Sequence, residues 1–507
     1  MPPKCDGSHG RDTNSALGEL LALIQDYHDF NPDTTVPVYP YPTYLQFSQQ
    51  VSRGRPCVYR LDRGVLDVPA GSEQIPNGTG HGCETDHHPA KPHHAPCPVK
   101  DRKRAHLEEE QRSILSAPCF RWTKNTVRSL VQGKVEVAVT PDGRADSLYV
   151  LPKRCPRQHG GASKTGTRTR SSREDPNERE HVQPAGPENV AYQQKSDEED
   201  DTSEPVFLQP ATTRMTLSKL IDELCAPAPA SPSAAQMSPP TKPVYYLQSQ
   251  DSNLSRPELA SLKAHLPATP PPFALPVLGD PDATNIWIGN AQSVTSTHRD
   301  PYENLYLVVK GRKQFVLYAP VEEICLHATM VRTGRWTFDE DTEKFNIIMD
   351  EDVGEDMDDD HPDDGEAQGE DAIPSVCDTP SSDETSTSSN ANPAKIPWIP
   401  IDPLHPPPPS SALYPYYKHA RPLTLTVEEG QILYLPAGWF HHVTQECGQW
   451  EGEDEDENGF KTTPTPAPCI ALNYWFDMDY SGEKHVMREM VGRLVEKVRR
   501  TERSGKA

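Results

Sequence analysis

Short β-type runs and two amphipathic helical stretches are scattered along this chain, separated by long segments that have no hydrophobic period. Between Ser15 and Tyr27, the residues Leu17, Leu20, Leu21, Leu23 and Ile24 recur at helical spacing and predict a helix with one apolar stripe. Near the other end, GEKHVMREMVGRLVEKVRR predicts a second helix whose broad apolar face holds Val486, Met487, Met490, Val491, Leu494, Val495 and Val498. TLSKLIDELCAP reads as a helix opened by a Thr or Ser cap. The β-type runs are PCVY from Pro56, NIWIG (Asn285 to Gly289), ENLYLVV and Ile432 to Leu435. ENLYLVVKGRKQFVLYAP turns at Lys310-Gly-Arg312 and predicts a β-hairpin, with Lys313, Phe315 and Leu317 on one face of the returning strand.

The chemistry-bearing residues fall on these strands. In Thr295-Ser-Thr-His298-Arg-Asp300, residues two apart project to one face, so His298 and Asp300 can address one cation while Arg299 points away. A triplet of this kind arises often by chance, and a lone strand histidine is more often satisfied than ligating. Here it is flanked by strands, and a further histidine pair, His441 and His442, follows the Ile432 to Leu435 run and a Pro-Ala-Gly turn. Neighbours on a strand face opposite ways, so the residues alone leave both histidines open as the third ligand. Two histidines and one carboxylate occupy one face of an octahedral ion, the arrangement of non-haem iron oxygenases. Lys313 either snorkels at a sheet edge or turns inward to meet an anion.

VTSTHRDPYENLYLVVKG, KIPWIPIDPL (Lys395 to Leu404), LYLPAGWFHHV and IALNYWFDMDY resemble the JmjC-domain oxygenases, a cupin-type family using Fe(II), 2-oxoglutarate and molecular oxygen. Within that family they are similar to lysyl hydroxylases of developmentally regulated GTP-binding proteins, and VYYLQSQDSNL and VAVTPDGRAD extend the resemblance backward. The resemblance implies a mainly β fold with flanking helices, a double-stranded β-helix of cupin-like jelly-roll order. It implies His298, Asp300 and the second histidine of the pair, His442, as the catalytic metal ligands. It implies Lys313 as the salt-bridge partner of the distal 2-oxoglutarate carboxylate, with the hydroxyls of Thr295 and Tyr246 beside it and Asn304 and Asn473 as nearby amides. The substrate it implies is a lysine of a translation-associated GTPase. It also implies that the C-terminal helix forms a homodimer. A histone lysine demethylase and a non-catalytic JmjC scaffold are the alternatives, since fold alone licenses many functions. Tyr302, Trp439 and Trp475 either line the substrate pocket or pack the barrel.

Composition adds the inserts. With 54 prolines and 34% hydrophobic residues among 507, much of the chain cannot pack, and one ordered domain interrupted by disordered inserts is expected. The ordered blocks are an N-terminal helical and strand region (15–65), the first part of the oxygenase domain (113–151), the two halves of the JmjC core (205–338 and 395–480) and the C-terminal helix (481–507). The inserts are 66–112, 152–204 and the acidic 339–394, with a shorter acidic one at 451–457. CETDHHPAKPHHAPC, from Cys83 to Cys97, holds four histidines between two cysteines but matches no zinc-finger spacing, and low-complexity chain is the favoured reading. The basic SKTGTRTRSSRE reads as solvated linker ahead of a nuclear signal. A net charge of -25 argues against binding DNA through the global field. The eleven irregularly spaced cysteines read as thiols. No run has the length of a membrane span and the N-terminus lacks a signal-peptide core, so a cytoplasmic or also nuclear protein is expected.

Overall fold

The computed structural model describes residues 11–66, 98–152, 203–226, 242–248, 252–350, 352–353, 392–393, 395–450 and 465–505. Its centre is a barrel of two facing sheets with four core strands in each. One sheet places Ala283–Gly289, Cys469–Asp477, Tyr302–Lys310 and Gln431–Leu435 side by side, extended by the short strands Cys57–Arg60 and Val38–Pro40. The other runs Leu423–Val427, Arg312–Tyr318, Phe440–Glu446 and Val294–Arg299, extended by Arg144–Ala145. All core pairings are antiparallel. This is the double-stranded β-helix expected of the sequence, a jelly roll with flanking helices.

The two sheets explain two kinds of sequence pattern. The first is buried on both faces: Trp287, Tyr306, Val308, Leu433 and Ala471 look into the barrel. Ile286, Leu305, Leu307, Ile432 and Phe476 pack outward against Phe47, Trp122, Leu220, Ile221 and Phe273. A strand covered on both sides reads as a continuous apolar run, as ENLYLVV does. The second sheet buries alternate residues of Arg312–Tyr318, and there Lys313, Phe315 and Leu317 face inward as expected.

Three expectations are corrected. Tyr302–Lys310 and Arg312–Tyr318 do not pair as a β-hairpin; the chain crosses at Gly311 from one sheet to the other. A turn between two strands looks the same in sequence whether the strands pair or part, and only the long-range partners decide. Second, the insert expected over 66–112 contains regular structure, because Pro98–Leu115 is a helix. Its buried Ile114 and Leu115 lie at one end of a strongly charged segment, and Gln111 accepts from the Asp62 amide. Third, order continues past 339: strand Thr329–Asp339 returns as Lys344–Met349, held by Phe345 against Phe338 and Trp336. The His-rich 83–97 stretch, SKTGTRTRSSRE, most of the acidic 339–394 segment and 451–457 lie outside the described residues.

The N-terminal helix Arg11–Phe30 buries Ala16, Leu20 and Ile24 against Val491, Val495 and Val498 of the C-terminal helix Glu483–Gly505. Val486, Met487 and Met490 of the latter stay exposed, so the apolar face read from the sequence is divided between packing and solvent. Helix Leu217–Leu224 has the expected Thr216 cap, whose side chain accepts from the Lys219 amide. Among the described residues no helix is long and apolar enough to cross a membrane.

Candidate metal centre and co-substrate pocket

The register of two adjacent strands builds the metal centre. Val294–Arg299 pairs with Phe440–Glu446 so that His298 lies directly opposite His441, after an irregularity between Thr295 and His298. The two imidazole centroids are 4.2 Å apart. Asp300 follows the end of the first strand and brings Oδ1 to 3.8 Å from His298 Nε2 and Oδ2 to 3.6 Å from His441 Nε2. One ligand atom from each of the three residues falls within 4.8 Å of the others.

The histidine tautomers suit a metal. His298 Nδ1 lies 2.8 Å from the Ser296 carbonyl and His441 Nδ1 lies 3.1 Å from the Trp439 carbonyl. A carbonyl only accepts, so each Nδ1 carries the proton and each Nε2 keeps its lone pair aimed at the shared point. Burial, then the charge of His298, lowers the His441 pKa to about 4, so its ring is neutral at physiological pH.

His442 is therefore corrected as a ligand. It pairs with Val316 on the outer face of the sheet, beside Phe440, which packs on Ile399 and Ile401. It is buried, and burial lowers its pKa to about 4 against an opposing influence from Asp402. The inward partner of Leu317 is His441. The sequence resemblance selected the wrong neighbour because period-2 alternation places one histidine in each layer and only the pairing register says which layer is inside.

The remaining residues read from the sequence line the same interior. Lys313 is 2% exposed; its Nζ donates to the Tyr246 hydroxyl at 3.0 Å and lies over the Tyr246 and Tyr306 rings. Among the described residues no carboxylate is within ion-pair distance of it. Lys310, equally buried, has Glu429 at 3.1 Å. An unmatched buried ammonium is costly unless an anion arrives, which fits a bound dicarboxylate. Burial raises the Tyr246 pKa, so its phenol accepts from Lys313 and keeps a proton to donate. Tyr246 is delivered by the accessory strand Val244–Tyr246, bridged to the barrel at Leu247 and Ile288. Thr295 shares its face with Val443, its cross-strand partner. Asn473 Nδ2 is 3.5 Å from Asn304 Oδ1, and Trp287 Nε1 donates to Asn473 Oδ1 at 2.8 Å.

Other residues at this site were not read from the sequence. Gln445 sits opposite Lys313, is 4% exposed and has a buried Oε1 without a partner. Gly289 leaves room for it: a Cβ there would lie 2.3 Å from Gln445 Nε2 and 2.6 Å from the Tyr246 ring. Asp146, at the end of a neighbouring short strand, accepts from the Ser296 hydroxyl through its carbonyl, two residues before His298. Nothing in local sequence marks these residues, since each is drawn in by long-range pairing. Tyr302 stacks on Trp475 at 4.8 Å at the same end as Asp300, and Trp439 donates to the Gly54 carbonyl and packs the barrel.

Two histidines and an aspartate converging inside a β-barrel of this order define a metal-binding cupin. The family described as "Cupin-like domain" matches residues 118–482, and the chain belongs to it, with a domain of the JmjC type. Its relatives include the human "Bifunctional peptidase and (3S)-lysyl hydroxylase JMJD7", 34% identical over 284 residues, 54% of this chain and 63% of the relative. "JmjC domain-containing protein E" of Dictyostelium discoideum is 32% identical over 47% of this chain and 55% of its own length. "Lysine-specific demethylase JMJ32" of Arabidopsis thaliana is 30% identical over 39% and 43%. The chain thus spans less than two thirds of the length of each of these relatives.

Proposed function

We propose that this protein is an Fe(II)- and 2-oxoglutarate-dependent protein hydroxylase acting on a lysine side chain, with a GTPase of the developmentally regulated type as its substrate. The observation that carries the reading is the meeting, in one barrel, of two Nε2 lone pairs and a carboxylate with a buried lysine that has no carboxylate of its own. His298, Asp300 and His441 would hold the iron. Lys313 would bind the distal carboxylate of 2-oxoglutarate, with the hydroxyls of Tyr246 and Thr295 beside it and the amides of Asn304 and Asn473 nearby. When bound, the iron and 2-oxoglutarate supply oxidation of an unactivated C–H bond by molecular oxygen, which no protein side chain performs. The chain's own part is position and exclusion of water. The Ser296 and Trp439 carbonyls fix the ligand rings, Trp287 fixes the Asn473 amide, and apolar walls such as Phe315 and Val443 keep the interior dry.

The lysyl reading is supported by the relative named as a lysyl hydroxylase, and a demethylase reading by the relative named as a demethylase. The test is 2-oxoglutarate consumption by the purified protein with Fe(II) and ascorbate. A lysine peptide from the GTPase and a methyl-lysine histone peptide are followed by mass spectrometry in parallel. Gain of one oxygen on the GTPase peptide is the expected result. Loss of a methyl group from the histone peptide would replace the reading with a demethylase, and no turnover of either peptide would leave a non-catalytic scaffold.

A further inference from the structure

The interior holds a second unmatched charge, of opposite sign to Lys313, on the metal side of the barrel. Asp146 directly follows the strand Arg144–Ala145, which pairs in parallel with Val294–Thr295. Its backbone is in the left-handed region at φ 50°, and the Ser296 hydroxyl donates to its carbonyl. The preceding turn is equally fixed: Gly143, at φ 88°, accepts from the Val294 amide, and a Cβ there would collide with the Gln292 carbonyl. The Asp146 backbone is thus held on a rigid platform beside Ser296, two residues before His298 on the facing strand, with the Gln248 side chain near its carboxylate.

Nothing structural requires a carboxylate at this point. Asp142, four residues earlier, is matched by Arg144 at 2.8 Å and by the Tyr149 hydroxyl. Asp146, a part-buried residue, has no Lys or Arg within ion-pair distance among the described residues. Nor does it orient the metal ligand, because His298 Nδ1 already faces the Ser296 carbonyl. A strained, enclosed and cation-free carboxylate beside a reaction centre is the kind of departure that function explains and packing does not.

We propose that Asp146 is the specificity-determining residue that receives the cationic head of the substrate side chain, with Gln248 positioning its carboxylate. Lys313 then selects an anionic co-substrate from one side of the metal centre, and Asp146 selects a cationic substrate from the other. This inference rests on the lysyl reading of the site for its choice of ligand, and its test reads binding instead of turnover.

The full-length protein is loaded with Mn(II) and 2-oxoglutarate, and the affinity of a fluorescein-labelled lysine peptide from the GTPase is compared by anisotropy with its norleucine twin. Charge-assisted hydrogen bonds of this kind discriminate roughly ten- to hundredfold. The wild type is expected to prefer lysine by that factor. Asp146→Asn, which keeps the shape and tolerates the left-handed backbone, is expected to bind both peptides alike while holding Mn(II) and 2-oxoglutarate as the wild type does. Retention of the lysine preference by Asp146→Asn, or equal binding of both peptides by the wild type, overturns the proposal. A lysine preference that depends on Asp146, in a protein that oxidises no peptide, would uphold the inference and sink the hydroxylase.

Discussion

At the scale of single residues, the adjacent histidines show how much of a site one strand register decides. His441 and His442 share residue type, burial and a pKa lowered to about 4, yet one faces Asp300 and the other lies beside Val316 on the outer face of the sheet. Replacing His441 by Ala is expected to lower Mn(II) or Co(II) affinity at least about a hundredfold, since a ligand and not its support is removed. His442→Ala is expected to keep the metal and to cost about 2 kcal/mol through the cavity it leaves. Titration calorimetry and urea denaturation separate the two outcomes, and metal loss confined to His442→Ala would reverse the assignment. His298, Asp300 and Lys313 were legible because their types are unusual in strands and their spacing is local, and Tyr246, Asn304 and Asn473 were legible through the family resemblance. His441, Gln445 and Asp146 were not, because each is brought in by a partner more than a hundred residues away.

Among the elements, the glycine at the crossing between sheets is tightly constrained. Gly311 has φ 73°, and a Cβ there would lie 2.5 Å from the Glu446 carbonyl oxygen. Gly430, at φ 80°, has only the Arg63 side chain near, at 3.7 Å. Gly311→Ala is therefore expected to destabilise by about 3 kcal/mol, the left-handed cost plus a backbone clash, whereas Gly430→Ala costs about 1 kcal/mol. Equal shifts in the urea midpoint of the two variants would remove the crowding argument. The strands themselves were readable from composition, but their partners were not. ENLYLVV and KQFVLY are separated by one glycine turn and still belong to different sheets, as a jelly roll requires.

Across the whole molecule, the C-terminal helix and the segment around Tyr416 meet at a histidine that burial keeps neutral. His327, at φ 51°, stacks on Tyr416 and accepts the Tyr416 amide through Nε2. Burial, then Arg499 on the C-terminal helix, lowers its pKa to about 4. The unfolded chain takes up this proton near pH 6.5, the folded chain only near pH 4. The stability gained from the neutral ring is complete above about pH 6.5 and is lost as pH falls towards 4. His327→Asn tolerates the left-handed backbone and should flatten the melting temperature over that window relative to the wild type. An unchanged slope would show that other groups govern acid unfolding.

The sequence by itself determined which residue types were available and which segments could be strands or helices, because periodicity and local spacing are written within a few residues. Hence the individual strands, the His298 and Asp300 pair and the terminal helices could be read from the residues, and the barrel and the inward Lys313 from the family resemblance, before the structure. Tertiary structure decided which histidine completes the metal centre, that the chain changes sheets at Gly311, and that Asp146 stands beside His298. Those outcomes depend on the register between strands distant in sequence, and register is set by the packing of the whole barrel.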